Sequence, residues 1–100
     1  MVRIIVEYFY IPDSIECKNY MKIVVNPLMR KPMKEVEWKI NNIFDPKVKR
    51  GIEEYNIKAV PALVINKNRI LIGFKPQEEV KSIIEEEIEK EKKLREVKLD

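Results

Sequence analysis

The sequence predicts an α/β fold with element order β-α-β-α-β-β-α, a four-stranded mixed sheet flanked by helices. Three observations predict it. A near-continuous run of β-branched and aromatic residues, Val2 to Tyr10, gives way to a helical pattern. An alternating run, Glu35 to Ile40, is followed by a second helix start at Asp45-Pro46. Two short apolar runs around an Asn-rich turn then precede a last helical pattern. Strands that alternate with helices imply a right-handed parallel β-α-β crossover, and a hairpin adds antiparallel strands at the other side.

Val2–Tyr10 is interrupted only by Arg3 and Glu7 and reads as a strand buried on both faces. Ile11-Pro12-Asp13 breaks it. Asp13 or Ser14 then caps a helix, and Asp13 with Glu16 resembles a capping box. Cys17, Met21, Val24 and Leu28 follow helical spacing, and Pro27 is expected to kink this helix or end it early. Pro32 closes the connection. Val36, Trp38 and Ile40 share one face of the second strand. Asp45 as N-cap and Pro46 at the first helical position open the second helix, with Val48, Ile52 and Tyr55 inward and Asn56 as its stop. Val60–Ile65 and Arg69–Ile72 flank Asn66-Lys67-Asn68 and predict a hairpin, with Pro61 at the start of its strand and Gly73 after the second. Pro76 opens the last helix, with Val80, Ile83, Ile84 and Ile88 inward. From Glu89 onward the chain is charged. Pairs such as Glu89 with Lys93 and Glu91 with Arg95 predict an exposed helix end, solvated or frayed; a short partner-binding helix is the alternative.

The chain has 100 residues, which predicts one domain over 1–100, with 89–100 a charged helix end or tail. Its net charge of +3 is small beside 20 Lys and Arg and 17 Asp and Glu, spread along the chain. Lys47-Val48-Lys49-Arg50 reads as a solvated helix face, so no nucleic-acid partner is expected. One cysteine and no histidine exclude an internal disulfide framework and argue against a transition-metal site. No cofactor is called for. No apolar stretch reaches about 18 residues, and the first residues read as a core strand rather than a signal peptide. The expectation is a cytoplasmic protein without membrane contact, a monomer or weak dimer. Abundant Lys, Glu and Ile with a single Gln lean toward a thermophile composition.

Ligand sites in such sheets lie beyond the carboxyl end of a parallel strand, where a helix begins. That location is Pro12 to Cys17. Two cysteines spaced as Ser14-Ile15-Glu16-Cys17 would read as a thiol–disulfide site. Here Ser14 fills the first position. On these residues, Ser14 reads as a helix cap, and with no histidine it has no general base. Cys17 fits two readings: a thiol poised for exchange, or an inert, half-buried residue filling core space. Burial and the neighbouring Glu16 oppose a thiolate there, while Lys18 could offset them.

The chain resembles the thioredoxin-like superfamily over about residues 2–88, most closely the small archaeal glutaredoxin-like thioredoxins. The residues that carry the resemblance are Tyr55-Asn56-Ile57-Lys58-Ala59-Val60-Pro61-Ala62-Leu63-Val64-Ile65-Asn66 with Ile72-Gly73, and Glu7 through Cys17, whose last four positions match a degenerate CxxC. The resemblance implies a cis Val60–Pro61 peptide, where a trans proline at a strand start would otherwise be expected. It implies that Val60 and Pro61, with Pro12, line a ligand groove against the Ser14–Cys17 turn. It implies that Ser14 stands at the attacking position and Cys17 at the resolving one. It also makes a proton-transfer role conceivable for Glu7, which otherwise reads as an exposed or rim glutamate.

Two functions follow. In the first, Cys17 acts as a single thiol and forms mixed disulfides with a protein or small-molecule thiol or disulfide; at most this is a monothiol oxidoreductase. In the second, the groove binds a peptide or partner without covalent chemistry. An exposed sulfur beside an open groove at Pro61 would favour the first. A sulfur covered by Tyr20 or Met21 would favour the second.

Overall fold

A computed structural model describes residues 2–31 and 33–96. Strand β1 (Ile4–Tyr10) leads into helix α1 (Ile15–Tyr20), a π-helical turn (Met21–Val25) and helix α2 (Asn26–Arg30), which run on as one helical segment. Strand β2 (Val36–Asn42) follows. Then come a 3₁₀ turn (Pro46–Val48), helix α3 (Lys49–Glu54), strands β3 (Ala62–Ile65) and β4 (Arg69–Ile72), and helix α4 (Gln77–Glu96).

The sheet has order β2-β1-β3-β4. β1 runs parallel to β2, with Tyr8 opposite Ile40, and antiparallel to β3, with Tyr8 opposite Leu63. β3 and β4 form the antiparallel hairpin. This is the α/β mixed sheet that the sequence predicts.

Strand alternation splits the interior. Ile4, Val6 and Tyr8 of β1 face the layer of α1, α2 and α4, where they meet Tyr20, Val24, Val25 and Leu28 and the stripe Val80, Ile83, Ile84 and Ile88. Phe9 points the other way, into a smaller core with Ile57, Ala62 and Val64 beneath α3. The larger core carries most of the buried apolar surface, at about 1.5–3 kcal/mol per fully buried aliphatic or aromatic side chain.

Several local signals act as the sequence predicts. Asp45 Oδ1 accepts from the Lys47 N–H at 2.9 Å and starts the second helical stretch. Asn56 ends α3 with φ +54°. Its N–H reaches the Glu53 carbonyl, and the Ile57 N–H reaches Ile52, which is the Schellman pattern. In the hairpin turn Asn66 and Lys67 both have positive φ, and the Asn68 N–H closes on the Ile65 carbonyl. That is type I′ geometry, matched to the twist of the flanking strands.

Pro27 neither ends nor breaks its helix. The Asn26 N–H bonds to the Met21 carbonyl, five residues back. A proline lacks the N–H and its ring strikes the carbonyl four residues earlier; a wider turn just ahead of it moves that carbonyl aside. The extra residue also shifts helical phase, so Val25 is buried as well as Val24. Among the described residues the expected Glu89–Lys93 pair is not formed, and the Glu91–Arg95 pair lies outside the described side chains. Lys90 meets Glu87, Lys92 meets Glu35, and Glu91 accepts from the Asn66 side chain at 3.0 Å. α4 extends to Glu96; the remainder of the charged tail lies outside the described residues.

Candidate functional site

The site is built where β1 ends and α1 begins. Ser14 is the N-cap, in extended backbone, and its Oγ accepts from the Cys17 N–H at 3.2 Å. Its hydroxyl donates to the Glu16 carboxylate at 3.1 Å. Glu16 therefore meets the Ser14 side chain, and the Asp13–Glu16 capping box suggested by spacing gives way to a Ser14 cap.

Cys17 is one turn further in and only 2 % exposed. Its Sγ accepts the Ile11 N–H at 3.5 Å. Its carbonyl accepts from the Tyr8 hydroxyl at 2.7 Å, a buried bond that ties the first turn of α1 to the middle of the sheet. Burial first, and then the charge and hydrogen bond of Cys17, push the Tyr8 phenol far up. Tyr8 stays a neutral donor at any ordinary pH. Tyr10 stacks on Tyr8 at 5.7 Å with nearly parallel rings. Above Cys17 lies a cavity of about 290 Å³ with Pro12 and Met21 on its wall.

Val60 and Pro61 line a different groove, of about 430 Å³, on the other side of α1. The peptide between them is cis. Pro61 is buried, and its carbonyl accepts from the Gly73 N–H at 2.8 Å. Glu16, Asn19 and Ile23 close the groove from the helix, and Phe74 from the end of the hairpin. Thus Glu16 of the turn shares a groove with Val60 and Pro61, whereas Cys17 and Pro12 face the first cavity.

Glu7 is not brought to Cys17. Alternation turns it to the α3 face, where its carboxylate accepts from the Tyr55 hydroxyl at 2.9 Å. Burial and this bond push the Tyr55 phenol up to about 12. The polar side chain that reaches the Cys17 turn is Tyr8, one residue along the strand. In the sequence Tyr8 is marked only as one member of the β-branched and aromatic run Val2–Tyr10. The usable signal was parity: Val6 and Tyr8 share the face on which the Cys17 helix packs. Among the described residues no group of three or more acids, cysteines or histidines could hold a metal ion. No described helix is long and apolar enough to cross a membrane.

No family model matches the chain, and no curated protein matches it. Solved structures do. Thioredoxin-2 of the malaria parasite, a component of its protein secretion machinery, superposes with TM-score 0.71 at 15 % identity, over 84 % of this chain and 82 % of that one. A mutant thioredoxin from Halobacterium salinarum gives TM-score 0.72 at 16 % identity, over 87 % and 76 %. The fold is that of thioredoxin. Oxidised thioredoxin O2 from Arabidopsis thaliana agrees, at TM-score 0.70 and 21 % identity over 86 % and 76 %. At these identities the likeness establishes the thioredoxin fold; the chemistry rests on the residues of this chain.

Proposed function

We propose that this thioredoxin-fold protein exchanges thiol and disulfide through Cys17 alone. The observation that carries the reading is that Cys17, though almost fully buried, joins the lining of the cavity over the start of α1, with its Sγ accepting the Ile11 N–H. The thiolate is the form that attacks. In the forward step the Cys17 thiolate attacks one sulfur of a partner's disulfide. The S–S bond breaks, the other sulfur leaves as thiolate, and Cys17 is held in a mixed disulfide. Release needs a second thiol, from the partner or from a small-molecule thiol. Ser14 cannot supply it, so the chain alone does not complete a dithiol cycle. The groove at Val60 and Pro61, flanked by exposed Ile23 and Phe74, gives an extended segment of the partner a second surface across α1, while the disulfide itself reaches Cys17 from the first cavity.

The test is the rate of iodoacetamide alkylation against pH, folded and in denaturant. The expected result is a measurable native rate, slower than the unfolded rate because Cys17 must be uncovered, and rising with pH. A native rate of zero, with reaction only on unfolding, removes the proposal.

The near-complete burial of Cys17 favours a second reading, in which the Val60–Pro61 groove binds a peptide with no covalent step. Cys17→Ala separates the two. Retained binding of a disulfide-containing peptide supports the module; lost capture supports the thiol.

A further inference from the structure

The cavity over Cys17 has a chemistry that thiol exchange does not use. Its walls are apolar: the stacked Tyr8–Tyr10 pair, Met21 of the π-helical turn, and Ile40 of β2. Ile40 is left 38 % exposed although Val36 and Trp38, on the same face of β2, pack against the core. The helical segment that covers those two leaves Ile40 as an open wall. Lys18 and Lys22 stand on the lining one helical turn apart, with Asn26 a further turn along. The lining contains no carboxylate. Among the described residues neither lysine is in an ion pair. Two uncompensated cations beside an apolar concavity are complementary to an amphipathic anion. A cationic ligand would be repelled, and a polyanion would leave the apolar walls unfilled. The volume, about 290 Å³, suits a small molecule at the lower end of ligand pockets, roughly 300–1,000 Å³. The π-helical turn supplies both Met21 and Lys22 to the lining, and such turns recur at functional sites.

We infer that this cavity binds a small aromatic or acyl monocarboxylate, its apolar body between Tyr10, Met21 and Ile40 and its carboxylate at Lys18 and Lys22. The site does not depend on Cys17 chemistry. It stands or falls separately from the thiol proposal.

The experiment is a ¹⁵N-HSQC titration of the full chain with 3-phenylpropanoate, 3-phenylpropanol and 3-phenylpropylammonium. The carboxylate is expected to give saturable shifts at Tyr10, Lys18, Lys22 and Ile40. The alcohol should bind about tenfold more weakly, because it lacks the charge-assisted bonds, and the amine more weakly still. The surface double variant Lys18→Gln/Lys22→Gln should lose about tenfold for the carboxylate and nothing for the alcohol. Ile40→Trp fills the concavity and should abolish binding of all three. Absence of saturable shifts, equal affinity for the amine, shifts at other residues, or carboxylate binding undiminished in the double variant would each overturn the assignment.

Discussion

Ser14 caps α1 with the oxygen that a cysteine would replace with sulfur, and the two chemistries pull in opposite directions. The Oγ bond to the Cys17 N–H stabilises the helix start by about 1 kcal/mol. Ser14→Cys gives up most of this and places a thiol three residues before Cys17. The expected outcome is a small loss of stability in urea, about 0.5–1 kcal/mol, together with turnover of a small disulfide at least about tenfold above the parent chain. An intact fold with no gain in turnover would mean that the groove does not present a disulfide to this position. Tyr20 makes a cleaner case at the same scale. It is fully buried, and among the described residues its hydroxyl has no hydrogen-bond partner, although the Lys75 backbone is near. Burial pushes this phenol up to about 12, with the nearby Lys75 backbone acting against it and Glu79 adding to it. A buried hydroxyl without a partner costs desolvation and returns nothing. Tyr20→Phe keeps the edge-on contact with Tyr8 and the tilted one with Phe74, and should leave stability unchanged or raise it by up to about 1 kcal/mol. A fall of that size in urea unfolding would show that the hydroxyl is bonded after all.

The hairpin shows what a sequence makes legible at the scale of elements. Asn66-Lys67-Asn68 between two apolar runs specifies a tight turn from local chemistry alone, and the strands follow. The turn is nevertheless imperfect, because Lys67 adopts φ +57°. A residue with a Cβ pays about 1 kcal/mol there, whereas glycine pays little. Lys67→Gly should therefore stabilise the hairpin by about 0.5–1 kcal/mol, less the chain entropy that glycine adds to the unfolded state. A lower urea midpoint would place the value of Lys67 in its side chain. The Ser14 cap, the Asn56 stop and the inward stripe of α4 were legible for the same reason as the hairpin, since each is written within one turn or one helical period. The π-helical turn was not. Pro27 signals a disturbance, but whether the helix stops or widens is decided by the core, which holds Val24, Val25 and Leu28 together. The Tyr8–Cys17 bond was equally hidden, because it joins a strand's parity to a helix's phase across nine positions. Glu7, chosen by resemblance, sits one residue out of that parity.

At the scale of the whole molecule, α4 and the hairpin turn are held together by a carboxylate that nothing in its neighbourhood marks out. Glu87 lies among the acids Glu85, Glu86 and Glu89, yet it alone of these is buried, at 1 % exposure. It accepts from the side chains of Asn66 and Asn68, each at 3.3 Å, and from Lys90 at 3.1 Å. Arg69 stands 3.7 Å away. Burial pushes its carboxyl up, but the hydrogen bonds from Lys90, Asn68 and Asn66 and the Lys90 charge outweigh it, and the net shift is downward from the ordinary 4.5. The folded state therefore binds this proton more weakly than the unfolded chain does. Its contribution to stability is complete above about 4.5 and is lost as pH falls through the lower folded value. Glu87→Gln keeps the shape and one acceptor but removes the charge. At neutral pH the variant should be less stable by about 1–2 kcal/mol. As the pH falls the two curves should converge, because acid protonates the wild-type carboxyl and makes it as neutral as the amide. Urea midpoints of both proteins across the acid range measure this directly. A difference that stays constant with pH would assign the loss to packing, and a variant as stable as wild type at neutral pH would remove Glu87 as the tie between α4 and the hairpin.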